Sequence, residues 1–133
     1  LFSRVDYLSL HTNLTPETLE LVRAETIKFL KPDAIILNCA RGEIIHTADV
    51  AVALQSGELR GYGTDVLDEE PPSKEHPLTN LPNCLVTPHI GSRTLESVQR
   101  QAVAAVTNLL NAMRGEAPLA QVNPEVAVQR CVD

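Results

Sequence analysis

Four short apolar runs, each closed by residues suited to a loop, punctuate this chain of 133 residues and leave helix-length stretches between them. They cover 5–10 (VDYLSL), 34–37 (AIIL), 61–66 (GYGTDV) and 84–87 (CLVT), and each is read as a strand. Between the first two, Thr15 can cap a helix with Pro16 at its first position, and Lys31-Pro32 closes the stretch. Between the second and third, Thr47 precedes a helix over 48–56, where Val50, Ala53 and Leu54 share one face and Gly57 supplies a stop. Strands separated by such helices pair in parallel through right-handed crossovers, which predicts an α/β layered fold. Beyond His89, Val98, Ala102, Ala105, Val106, Leu109, Leu110 and Met113 recur at helical spacing. They predict one long helix, capped by Ser92 or Thr94 and ended by Gly115. Residues 116–133, with Pro118 and Pro124, read as an extended tail or a segment that lies on another domain, so 1–115 is taken as the domain.

Composition removes several classes of partner. The net charge is -6, the 11 Lys and Arg form no block, and aromatics are 3% with no Trp, so neither a cationic face nor stacking rings are available for nucleic acid. No apolar stretch approaches the roughly 20 residues that span a bilayer, and no membrane association is expected. The three cysteines include no C-x-x-C pair, which fits a reducing compartment and makes cytoplasm the expected location. Residue 1 is Leu, so a longer parent protein is expected. The 6 glycines are scattered, whereas a phosphate-cradling loop needs them clustered. Gly61 and Gly63 start like G-x-G-x-x-G, but Val66 occupies the third glycine's position.

In an open parallel sheet, ligands gather beyond the carboxyl ends of the strands. The polar candidates lie at such ends: Arg41 after the second strand, Asp65, Asp68, Glu69 and Glu70 after the third, His89 after the fourth. Singly, each has a plain alternative as a surface cation, a solvated acidic loop or a satisfied loop histidine. Pro71 and Pro88 restrict the backbone around Glu70 and His89 and so favour defined side-chain directions. Together the three suit a small anionic substrate. Arg41 offers a planar fork to a carboxylate, His89 exchanges a proton near neutrality, and Glu70 would raise the histidine's pKa and orient its ring. That set suits reduction of a 2-oxo acid, and it suits other acid-base chemistry as well. Among His11, His76, His89, Cys39 and Cys84 no C-x-x-C or H-x-x-x-H spacing occurs, so no metal site is expected. Cys39, at the end of an apolar run, reads as core and not as a nucleophile.

LNCARGEII (37–45), GTDVLDEEPP (63–72) and TPHIGSRT (87–94), preceded by SLHTNLTPET (9–18), resemble consecutive signatures of the D-isomer-specific 2-hydroxyacid dehydrogenases. This is the family of phosphoglycerate dehydrogenase and glyoxylate/hydroxypyruvate reductase. The resemblance runs from about Val5 to Gly115 with order and spacing kept. It implies the C-terminal half of a Rossmann-type NAD(P)-binding domain, with NAD or NADP as cofactor, a small 2-oxo or 2-hydroxy acid as substrate, and a homodimeric parent. It implies that Arg41 binds substrate carboxylate and carbonyl, that His89 is the proton donor and acceptor, and that Glu70 pairs with His89. Asp65 would face the nicotinamide amide. Thr12, Asn13, Cys39, Ala40, Arg41, His89 and the turn Ile90, Gly91, Ser92 would line the cofactor, with Asn13 standing where the family usually has Pro. The family's G-x-G-x-x-G turn, ribose-binding acid and substrate domain lie in sequence upstream of this segment, so the chain alone is expected to be inactive. Two alternatives are a dinucleotide-sensing interaction protein resembling the C-terminal-binding corepressors, and a stand-alone α/β binding module.

Overall fold

The computed structural model describes residues 1–126, and the chain forms two compact units, residues 1–89 and the part from Ile90 onward. The first contains β1 (Tyr7–Leu10), α1 (Ala24–Ile27), β2 (Ile35–Asn38), α2 (Thr47–Ser56), β3 (Gly61–Thr64) and β4 (Cys84–Val86). All three strand pairings are parallel, in the order β1-β2-β3-β4, as the alternating pattern predicts. The register places Leu10, Asn38, Thr64 and Val86 in one row, so the carboxyl ends are level. The loops that leave those four residues therefore start from a common edge.

Strand alternation builds the core on one face. Leu8, Leu10, Ile36 and Tyr62 are buried there with Ile27, Val50, Leu54 and Leu59. The stop of α2 is Gly57 at φ 76, a left-handed conformation that costs glycine little and other residues more. His46, not Thr47, occupies the N-cap of α2, which begins one residue earlier than its sequence suggests.

The predicted helix from Thr15 toward Lys31 does not form. Hydrogen-bonded turns occupy its first part, and α1 is only the four residues Ala24–Ile27. Tertiary pairing overrides helix propensity here. Val22 N–H donates to Ile44 O, His46 N–H donates to Val22 O, and Glu20 N–H donates to Glu43 O, an extended arrangement incompatible with helical dihedrals. Glu20 itself sits at φ 50.

On the opposite face of the sheet Tyr7, Leu37 and Leu85 are 68%, 42% and 69% exposed. Parallel sheets are ordinarily covered on both faces, and among the described residues β1 also offers an unpaired edge. The 133-residue chain is therefore expected to self-associate and to brighten a hydrophobic dye. A sharp monomer in sedimentation velocity at micromolar concentration would contradict this.

In the second unit, α3 (Leu95–Met113) is the predicted long helix. Of the two candidate caps, Thr94 fills the role, its Oγ1 accepting from Ser97 N–H at 3.2 Å. Gly115 follows at φ 74, and Leu119 N–H donates to Asn108 Oδ1 at 2.7 Å, so the chain turns back along the helix end. The remainder of the tail, 127–133, lies outside the described residues. Among the described residues no helix is long and apolar enough to cross a membrane.

Candidate active site

The turn after β2 is organised by Asn38, which is fully buried. Its Nδ2 donates to Arg41 O at 2.9 Å, and its Oδ1 accepts from Ala40 N–H at 3.0 Å. Both ends of the amide are thus used to curl residues 38–41 into a tight turn. On β3, the Thr64 hydroxyl donates to Asn38 O at 2.8 Å and joins this turn to the next strand. Arg41 is the result: an exposed guanidinium on a pinned backbone, with Nη1 donating to Ala40 O at 2.6 Å. Gly42, immediately after it, is buried against the backbone of Leu67 and Asp68, where an added Cβ would overlap the Leu67 carbonyl and the Asp68 nitrogen. The Arg41 turn and the acidic loop are packed backbone to backbone.

Glu70 uses both carboxylate oxygens. Oε1 accepts from Leu67 N–H at 2.9 Å and Oε2 accepts from His89 Nδ1 at 2.8 Å. The hydrogen bond from His89 holds its carboxyl below the usual carboxylate range, helped by Leu67 N–H and, to a smaller extent, by the charges of His89 and Arg41. An ionised carboxylate only accepts, so the Nδ1 of His89 carries a proton and Nε2 is the nitrogen turned to other work. His89 sits at φ 48, a left-handed conformation that costs a non-glycine residue about 1–2 kcal/mol. Its N–H donates to Thr87 O at 3.0 Å across Pro88. Strain of this kind persists where surrounding contacts impose it, and here the imposed conformation delivers the ring to Glu70.

The sign of the pH dependence follows from the depressed Glu70. Its stabilising pairing is fully present above the ordinary carboxylate pKa and is lost as pH falls through the lowered value. Glu70→Gln is therefore expected to flatten the fall in thermal stability between about pH 5 and about pH 3. Identical acid dependence in the two proteins, followed by circular dichroism, would refute the pairing.

A cavity of about 400 Å³ opens beside Arg41, lined by His11, Thr12, Asn13, Leu14, Cys39, Ala40 and Arg41. It gathers five of the residues expected to meet a cofactor, Thr12, Asn13, Cys39, Ala40 and Arg41, from the loops after β1 and β2. The expectation that Cys39 belongs to the core is wrong: it is exposed and lines this cavity, because the buried Asn38 beside it points inward and strand alternation turns Cys39 out. Cys84 is half-buried, and burial pushes its thiol up to about 11, which leaves it inert at neutral pH. Asp65 follows β3 with its N–H donating to Asn38 O at 3.3 Å. Ile90, Gly91 and Ser92 belong to the second unit, in a turn where Arg93 N–H donates to Ile90 O and Ser92 O accepts from Gln101. Among the described residues no three His, Cys, Asp or Glu side chains cluster as metal ligands would.

His11 and Leu14 also line the cavity and were not singled out from the sequence for that role. His11 carries a contact of its own, Nε2 to Ser9 Oγ at 2.7 Å. Asn38, Thr64 and Gly42 are the larger omissions. Their one sequence signal is a polar or small residue ending an otherwise apolar strand, which is too common to mark them.

The model of the D-isomer specific 2-hydroxyacid dehydrogenase NAD-binding domain matches residues 1–91. The chain belongs to this family. The chain is 40% identical over 126 residues to a glyoxylate reductase of Thermofilum pendens, covering 95% of this chain and 37% of that protein. A crystal structure of the TT0316 protein from Thermus thermophilus superposes with a TM-score of 0.86 at 45% identity, covering 91% of this chain and 39% of the other. An NADPH-dependent glyoxylate/hydroxypyruvate reductase from Sinorhizobium meliloti, solved with NADP and malonate, gives 0.82 at 31% identity over 98% of this chain and 40% of that one. The chain spans well under half the length of each of these relatives.

Proposed function

We propose that these residues form the reacting end of an NAD(P)-dependent D-2-hydroxyacid dehydrogenase that interconverts a small 2-oxo acid and its 2-hydroxy acid. The observation that carries this is the Glu70–His89 pair at 2.8 Å, with Arg41 close enough for its charge to act on Glu70. The cofactor fits what is present: the cavity beside Arg41 falls at the small end of the usual ligand-pocket range, about 300–1,000 Å³, which suits the nicotinamide end of a dinucleotide. Thr12, Asn13, Cys39 and Ala40 would hold that end. When bound, the dinucleotide supplies the hydride for the carbonyl carbon.

The chain's own groups handle charge and protons. Arg41 receives the substrate carboxylate through paired N–H donors and sets the carbonyl near His89. His89 gives the proton on Nε2 to the carbonyl oxygen as that oxygen gains negative charge, and takes it back in oxidation. Glu70 stabilises the doubly protonated ring before transfer and keeps Nδ1 as its donor throughout. Asp65 is assigned to the nicotinamide amide, and the turn Ile90, Gly91, Ser92 to the cofactor. The parent is taken to be a homodimer. The isolated 133 residues, which lack a G-x-G-x-x-G turn, are expected to show no turnover.

The test is oxidation of NADH or NADPH by the parent protein with glyoxylate, hydroxypyruvate and larger 2-oxo acids. Absence of turnover with all of them would sink the proposal. In the same assay Arg41→Lys is expected to raise KM about tenfold or more with a smaller change in kcat, because the planar fork is replaced by a point charge. An unchanged KM would remove Arg41 from the substrate.

A further inference from the structure

A second histidine–carboxylate pair lies behind the first. His76 is only 4% exposed, yet it belongs to the loop between β3 and β4 and has no part in the chemistry just described. Its Nε2 meets Asp68 Oδ1 at 3.0 Å. Its Nδ1 accepts from Leu78 N–H at 3.3 Å. A nitrogen that accepts carries no proton, so Nε2 bears the ring hydrogen and donates it to Asp68. One buried ring therefore ties two distant points of the loop, residue 68 on its way out from β3 and residue 78 on its way back. The fully buried Leu78 fastens the second point to the core.

Asp68 is two residues from Glu70, and its neighbour Leu67 donates the N–H that orients the Glu70 carboxylate. On its other side the Leu67–Asp68 peptide is packed against Gly42. Burial pushes the Asp68 carboxyl up, but Thr47 and His76 beside it bring the balance below its ordinary range, so Asp68 is a charged acceptor. His76 also anchors the loop through its backbone, with N–H donating to Ser73 O at 3.2 Å and O accepting from Thr79 N–H and from Thr79 Oγ1. The exposed Glu70–His89 pair thus stands on a buried one.

We propose that His76 is a positioning residue for the proton-transfer pair: by clamping Asp68 to Leu78 it holds the Leu67–Glu70 segment where the Glu70 carboxylate meets His89 Nδ1. The inference rests on the Glu70–His89 reading above. It assigns His76 no contact with substrate or cofactor.

The imidazole nitrogen spectrum of the 15N-labelled 133-residue chain, at a pH where the rings are neutral, reads the tautomer of each histidine directly. In the wild-type chain His89 is expected as the Nδ1–H form and His76 as the Nε2–H form. Glu70→Ala should release His89 to the Nε2–H tautomer that a free imidazole favours. His76→Leu, which removes both ring contacts, should do the same at a distance. His76→Asn keeps an acceptor for Leu78 N–H but is too short to reach Asp68, so it should also release His89 while disturbing the fold less. His76→Gln, whose amide nitrogen reaches where Nε2 lay, should restore the Nδ1–H form. If Glu70→Ala shifts His89 and folded His76→Asn does not, the positioning role is overturned. If Glu70→Ala leaves His89 unchanged, the pairing itself fails, and the proposal about His76 falls with it. Release by His76→Asn without rescue by His76→Gln would assign the effect to lost packing and overturn the clamp.

Discussion

On the proposed function, replacing His89 by Ala in a dehydrogenase that contains this chain is expected to cut turnover by about a hundredfold to ten-thousandfold, the range that general acid-base groups supply. The effect should fall mainly on kcat, because Arg41 and not His89 is assigned the substrate carboxylate. His89 also occupies a left-handed backbone conformation, and Ala tolerates φ 48 less well than Asn does. His89→Asn therefore serves as the partner experiment: it keeps a residue suited to the turn and removes the titrating ring. Comparable losses in both variants, with unchanged thermal stability in the Asn variant, would locate the defect in proton transfer. Wild-type steady-state kinetics from either would remove His89 from the chemistry.

The second large effect is expected at a residue with no side chain. Gly42→Ala would drive a methyl group into the Leu67–Asp68 peptide, and backbone on both sides leaves no flexible atom to yield. The Arg41 turn is held by Asn38 and Thr64, and the acidic loop by His76 and the buried Leu67 and Leu78, so neither moves away cheaply. A destabilisation of about 3 kcal/mol is expected, the upper end of what overpacking costs. It should be measured by urea unfolding of the 133-residue chain. In the parent, turnover should drop as well, because Arg41 and the Glu70 loop are pushed apart together. A variant with wild-type stability would show that the two backbones are not in contact.

The strands, their parallel pairing and the long terminal helix were legible because each rests on local periodicity, and burial on one face enforces that periodicity residue by residue. The placement of Arg41, Glu70 and His89 at one edge was legible for a related reason: each follows a recognisable strand, and level strand ends convert position in sequence into position in space. The helix expected after Thr15 failed where a local pattern met a non-local partner. Its apolar spacing is compatible with a helix, but the backbone of Val22 finds hydrogen bonds on Ile44 and His46, more than twenty residues away. Cys39 was misplaced by one step of alternation, since the buried polar residue proved to be its neighbour Asn38.

What the amino-acid sequence determined by itself was the class of fold, the level edge of the sheet from which the loops carrying Arg41, Glu70 and His89 leave, and the chemical kinds of group on those loops. Only the tertiary structure decided which oxygen of Glu70 faces His89, that Asn38 closes the Arg41 turn, and that a buried His76 stands behind the acidic loop. The physical reason is one of range. Periodicity and turn chemistry act over a few residues and leave a trace in any short window. A hydrogen bond from Thr64 to Asn38, or a glycine flattened against Leu67, joins residues some 25 apart and exists only once the sheet has set its register.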